Sequence, residues 1–138
     1  MLCITSSVFH QLLDEVEMVP EESCGFLFGK TENGDTKICE IMPVRNVSPD
    51  NKEVRFLIDG KDFMRAEKLA DDNNLNLTGI YHTHLINSAC PSETDRVSAF
   101  PNFSYLIIAI PNLKYSDMKF WKLNKSNQFE EEAFRILN

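Results

Sequence analysis

Leu75-Asn76-Leu77-Thr78-Gly79-Ile80-Tyr81-His82-Thr83-His84 is the stretch on which the reading of this chain turns. It has the composition of a β-strand and ends in two of the three histidines, one residue apart. In an extended strand, residues two apart share a face. Leu77, Gly79, Tyr81 and Thr83 therefore point one way, and Asn76, Thr78, Ile80, His82 and His84 the other. Both imidazoles leave the end of the strand on one side. A loop, Leu85–Ala89, follows, and then Cys90-Pro91-Ser92-Glu93-Thr94-Asp95. Pro91-Ser92 starts a short helix running to about Phe100, with Ser92 and Asp95 one turn apart and able to face the same mouth. The pattern is His-x-His, seven residues, Ser-x-x-Asp.

Working outward, the flanking segments read as a frame for that strand. Ile4 ends a short first strand. Ser6 or Ser7 caps a helix whose Val8, Phe9, Leu12, Leu13 and Val16 recur at helical spacing, and the helix ends before Pro20. His10 falls on its solvent face. Cys24-Gly25-Phe26-Leu27-Phe28-Gly29 is a short apolar strand. Asn33-Gly34 marks a hairpin, and the return strand runs from about Thr36 to Pro43. After a polar loop, Val54–Asp59 reads as a strand. Asp59 or Gly60 opens a helix through Phe63, Ala66 and Ala70 that frays at Asp71–Asn74. Tyr105–Ile110 is a continuous apolar run expected at the centre of a sheet. Met118–Leu123 is a further strand; Phe129–Leu137 fits strand or helix, and strand is the reading taken. The expected fold is one α/β (α+β) domain over residues 1-138, a mixed curved β-sheet flanked by helices.

Composition bounds what such a domain can do. The chain of 138 residues is 43% hydrophobic and 25% charged, the balance of a globular domain large enough for one core. No apolar run approaches the ~20 residues of a membrane helix, and the N-terminus has no basic region followed by a long apolar stretch. The expected location is the cytoplasm, with no membrane partner. The net charge is −7, from 14 basic and 21 acidic residues, with no basic stripe; nucleic acid is not an expected partner. Cys3, Cys24, Cys39 and Cys90 include no C-x-x-C pair, so they are expected as free thiols, with Cys90 packing beside the motif.

The chemistry suggested by the motif is metal ligation. Two imidazoles on one face are a natural pair of zinc ligands, each at ~2.0–2.1 Å. Asp95 is the third donor that a catalytic zinc normally takes, leaving one position open for water. Each piece also has a plainer reading. His-x-His alone can be surface polarity, and Ser92-x-x-Asp95 alone is a helix cap with an acidic third residue. Zinc brings the pKa of a bound water to roughly 7, and a nearby carboxylate can then move its proton. Glu21 and Glu22 precede the strand Cys24–Gly29. If that strand lies beside Leu75–His84, one of them reaches the site; otherwise they are solvated surface.

Taken together, Glu22, His82, His84, Ser92 and Asp95 resemble the motif of the JAMM (MPN-type) metalloproteases, with no member missing. Pro20-Glu21-Glu22-Ser23-Cys24-Gly25-Phe26-Leu27-Phe28-Gly29 resembles the corresponding segment of short prokaryotic members, and the likeness extends from about Ile4 to Leu137. The resemblance implies a single MPN-type domain holding one Zn2+ through His82, His84 and Asp95. It implies Glu22 as the residue that orients and deprotonates the attacking water, and Ser92 as donor to the oxyanion, worth roughly 3–4 kcal/mol in comparable sites. The implied substrate is a ubiquitin-like or sulfur-carrier protein with an extended C-terminal tail, cut at an isopeptide or peptide bond. Leu85 stands where many members have proline. The alternatives are a catalytically silent scaffold of the same fold, which would be expected to lose motif residues, and a zinc deaminase. The latter would show His-x-Glu and Pro-Cys-x-x-Cys, and neither is present.

Overall fold

The computed structural model describes residues 1–138. The chain forms β1 (Leu2–Thr5), α1 (Ser6–Val16), β2 (Cys24–Glu32), β3 (Asp35–Val44), α2 (Gly60–Asp72), β4 (Asn76–His84), α3 (Glu93–Val97), β5 (Ser104–Ala109), β6 (Asp117–Leu123), β7 (Phe129–Glu132) and β8 (Phe134–Leu137). The strands make one mixed sheet in the order β7-β6-β5-β4-β2-β3-β1-β8. β4 lies antiparallel to β2 and parallel to β5, so the histidine strand sits inside the sheet.

Local chemistry explains the elements. Asn33 and Gly34 both have positive φ, 51° and 81°, which is the two-residue hairpin geometry that matches strand twist. The apolar stripe of α1 buries Val8, Leu12 and Val16. They join Leu27, Tyr81, Leu106, Ile108 and Phe120 in one core cluster. α2 covers the opposite face, where Ala66 and Ala70 pack with Phe26, Phe28, Ile80 and Tyr105. Gly25 is required by a close approach between strands: a Cβ there would lie 2.5 Å from the Tyr81 ring and 2.6 Å from the Met42 carbonyl oxygen. The mixed sheet with helices on its faces is the architecture expected from the sequence.

Several expectations are corrected. Thr5, rather than Ser6 or Ser7, caps α1: its side chain accepts from the Val8 amide at 3.1 Å. No strand forms over Val54–Asp59. β2 and β4 already have both neighbours, and this segment pairs with an amide side chain instead. Asn46 Nδ2 donates to the Arg55 carbonyl at 3.0 Å, and its Oδ1 accepts from the Leu57 amide at 3.2 Å. The alternation along β4 holds only from Gly79 onward. A bulge opposite Leu27/Phe28 makes Thr78 the extra residue, so Leu77 packs on the same core as Ile80. α3 stops at Val97 instead of about Phe100. Phe100 precedes a proline, which disfavours helix, and its amide is taken by the Tyr105 hydroxyl at 2.6 Å.

The C-terminal strand is two strands. β7 pairs with β6 and β8 with β1, at opposite ends of the sheet order, yet only Ala133 separates them. A sheet whose two end strands are joined by one residue must curl until its edges meet, and this one is nearly closed. No helix is long and apolar enough to cross a membrane.

Candidate active site

The antiparallel ladder sets the first juxtaposition. Cys24 lies opposite His82, and Ser23 and Thr83 exchange two bonds: the Ser23 amide donates to Thr83 Oγ1 at 2.8 Å and the Thr83 amide to the Ser23 carbonyl at 3.0 Å. Continuing that register puts Glu22 across from His84. Of the two glutamates, Glu22 is buried and Glu21 only half-buried. The Glu22 backbone is held on both sides: its amide donates to the Lys52 carbonyl at 2.7 Å, and its carbonyl accepts from Asn46 Nδ2 at 2.9 Å.

His82 and His84 are both buried. Their Nε2 atoms are 3.2 Å apart, and Asp95 Oδ2 lies 3.3 Å from the first and 3.1 Å from the second. Three donors on a triangle of these sides fit a tetrahedral ion, whose ligands at ~2.1 Å stand about 3.4 Å from one another. His84 Nδ1 donates to the Ser88 carbonyl at 3.0 Å; a carbonyl only accepts, so in the neutral ring this bond leaves the lone pair on Nε2. His82 Nδ1 is buried with no hydrogen-bond partner, and Phe56 stacks on the ring at 4.3 Å between centroids. The donor set therefore suits zinc, and His82, His84 and Asp95 are the residues that could hold it.

α3 contributes the remaining groups. Ser92 is its N-cap. Ser92 Oγ accepts from the Asp95 amide at 3.0 Å, and Asp95 Oδ2 accepts from the Ser92 amide at 2.9 Å, a reciprocal capping box. The plain reading of Ser92-x-x-Asp95, a helix cap, is therefore present, and the same Asp95 oxygen lies within 3.3 Å of both imidazoles. The cap leaves the Ser92 O–H proton free to donate outward. One oxygen of Asp95 serves the cap and the imidazoles together.

Electrostatics separate the two carboxylates. Burial pushes Glu22 up from the ordinary carboxylate value to about 7; the His84 and Arg55 charges oppose the rise and Asp95 adds to it. Burial also acts against the Asp95 carboxylate, but hydrogen bonding with His82 and His84 overcomes it and holds Asp95 well below the usual range. Burial lowers His82. It opposes protonation of His84 too, but there the Asp95 bond prevails and the pKa is raised. A carboxyl that titrates near neutrality therefore stands near one that stays ionised, the kind of contrast found in catalytic pairs.

A cavity of about 270 Å³ opens beside His82 and Asp95, walled by Phe56, Ile58, Phe63, Phe100 and Tyr105. Reading the sequence did not single out Phe56, Asn46 or Ser88 for the site. Phe56 was hidden inside an apparent strand, and Ser88 acts through a backbone carbonyl that any residue would carry. Cys90, expected to pack, is exposed; Cys3 and Cys24 are buried, and all four thiols are free. Leu85 packs against the α1-side core.

The whole chain has relatives. A family model described as prokaryotic homologs of the JAB domain matches residues 5–124. Desampylase of Pyrococcus furiosus is 30% identical over 132 residues, covering 94% of this chain and 86% of that protein. The solution structure of a protein from Desulfitobacterium hafniense is similar over 99% of this chain and 92% of that one, at 26% identity and a TM-score of 0.84. One from Salinibacter ruber is similar over 98% and 91%, at 27% identity and a TM-score of 0.75. The crystal structure of a JAB1/MPN domain protein from Archaeoglobus fulgidus, at 16% identity, covers 98% of both chains with a TM-score of 0.61, a likeness of fold.

Proposed function

This chain belongs to the family of prokaryotic homologs of the JAB domain, and from that premise we propose that it is a zinc-dependent isopeptidase or peptidase. Its substrate is a ubiquitin-like or sulfur-carrier protein, cut at the amide bond of the C-terminal tail, in the cytoplasm. Likeness to Desampylase supports the deconjugating reaction. The observation that carries the metal chemistry is the triangle of His82 Nε2, His84 Nε2 and Asp95 Oδ2, with sides of 3.1–3.3 Å.

Zinc, when bound by these three residues, supplies the Lewis acidity that makes hydroxide available near neutral pH. The chain's own groups do the rest. Glu22, with its pKa near 7, takes a proton from the attacking water and returns it to the leaving nitrogen. Ser92 Oγ, fixed by the Asp95 amide, points its proton at the oxyanion of the tetrahedral intermediate. The apolar cavity beside His82 receives an apolar side chain of the tail. A silent scaffold of the same fold is the second reading, and the intact set of five residues weighs against it.

Glu22→Gln tests this reading. The variant should bind one zinc per chain as the parent does and lose roughly 10²–10⁴-fold in cleavage of a ubiquitin-like fusion, followed by mass spectrometry of the product. A parent without stoichiometric zinc, or a variant that cleaves as fast as the parent, refutes it.

A further inference from the structure

Ser92 and Asp95 ride on a helix that cannot hold itself. α3 has five residues, none of them buried. Helices far shorter than ~12–15 residues are marginal without tertiary support. Its capping box is internal: it satisfies amides of the first turn and does not attach the helix to the sheet. The loop before it, Leu85–Ala89, carries a second duty: the Ser88 carbonyl holds the His84 ring through Nδ1 at 3.0 Å.

The ties that fix this segment come from β6 and its turns. Ser116 Oγ donates to Asn87 Oδ1 at 2.7 Å. Trp121 Nε1–H donates to the Ala89 carbonyl at 2.9 Å. Asn87 and Ala89 are the two neighbours of Ser88, so the carbonyl that orients His84 is pinned from both sides. The Ala89 methyl is buried against Ile107 and Ala109, with Trp121 packed over them. Further along, Arg96 Nη1 of α3 donates to the Asn127 carbonyl at 3.1 Å, in the turn between β6 and β7. His82 is held by the stacked Phe56 ring and has no partner at its Nδ1, so the imidazole oriented by a hydrogen bond to this segment is His84.

We propose that Trp121 and Ser116 are positioning residues of the active site: together they clamp Asn87-Ser88-Ala89 so that the Ser88 carbonyl fixes His84, and with Arg96 they seat the helix that carries Ser92 and Asp95. The inference rests on the ligand role given to His84 above. Partners that orient a ligand imidazole typically govern about 10–100-fold of metal affinity or activity.

The test uses Trp121→Phe, which keeps an aromatic ring and removes the N–H donor, Ser116→Ala at the exposed pin, and the double variant. Two measurements are made on the full chain: hydrogen–deuterium exchange of the metal-free protein, and zinc affinity by competition with a chelator. The expected result is faster exchange confined to residues 85–97, with β2 and β4 protected as in the parent. Zinc affinity should fall about 10-fold or more in Trp121→Phe, and further in the double variant. Unchanged exchange at 85–97 together with unchanged zinc affinity overturns the proposal. So does a uniform loss of protection across the sheet, which would make Trp121 a core residue only. If the parent itself takes up no zinc, the proposed function falls, while exchange at 85–97 still decides the clamp.

Discussion

At the scale of single residues, the site is a contrast between two carboxyl groups a few residues' reach apart. Asp95 is kept ionised by the imidazoles around it, and Glu22 is kept near its protonation midpoint at neutral pH by burial. The second fact has a consequence for the metal-free protein. A carboxyl whose folded pKa lies above its unfolded value binds more protons folded than unfolded, so its contribution to stability declines as pH rises through the window from about 4.5 to about 7. Glu22→Gln removes that decline. In thermal melts with chelator present, the melting temperature of the variant relative to the parent should increase from pH 5 to pH 8; a difference independent of pH would refute the assignment. Asp95→Asn tests the opposite role. It removes the charge that draws a cation to the two imidazoles, and zinc affinity, measured by chelator competition, should fall by at least the 10–100-fold typical of weaker, outer partners.

Elements set where those residues stand. β2 and β4 exchange hydrogen bonds at Ser23 and Thr83, and this pairing brings Glu22 to His84 across sixty residues of chain. Gly25 lets the two strands close over Tyr81. Gly25→Ala would drive a methyl group to within 2.5 Å of the Tyr81 ring and 2.6 Å of a backbone oxygen, which cannot move aside cheaply. A loss of about 1–3 kcal/mol in denaturant unfolding is expected, the usual size of overpacking in a tight core. Zinc binding should weaken with it, since the displaced strand carries His82. At the start of the chain, Thr5→Ala removes the α1 cap and should cost about 1 kcal/mol in the same unfolding measurement, with zinc binding unchanged because α1 lies on the other face of the sheet.

At the scale of the whole molecule, the short connection at Ala133 makes closure of the sheet a global property. Phe134 packs edge-on against Phe120, their centroids 4.9 Å apart, while β8 covers the edge of β1. Removing residues 134–138 would uncover that edge, and bare edges pair with other chains. The truncated protein should melt at a lower temperature and associate, as read by calorimetry and size-exclusion chromatography; a monomer as stable as the parent would show that closure contributes little.

How much of this could be read from the chain follows from the range of the forces involved. Patterns that repeat within a few residues were legible: the amphipathic stripe of α1, the Asn33-Gly34 hairpin, the face shared by His82 and His84, and the cap at Ser92. Each is decided by neighbours in sequence. Motif likeness assigns Glu22, His82, His84, Ser92 and Asp95 to one site, and the pairing of β2 with β4 brings Glu22 across from His84. Apolar strand-like composition misled at Val54–Asp59, because whether such a stretch joins a sheet depends on an edge being available, and here Asn46 takes the backbone groups instead. The bulge at Thr78, the split at Ala133, the stacking of Phe56 on His82 and the pinning of Ser88 by Trp121 and Ser116 were invisible for the same reason. They arise from contacts between residues distant along the chain, or from backbone carbonyls that carry no side-chain signature. Sequence by itself determined which groups could do the chemistry; tertiary structure decided the pKa of Glu22, the orientation of His84 and the seat of α3, because burial and long-range hydrogen bonds exist only once the sheet has closed.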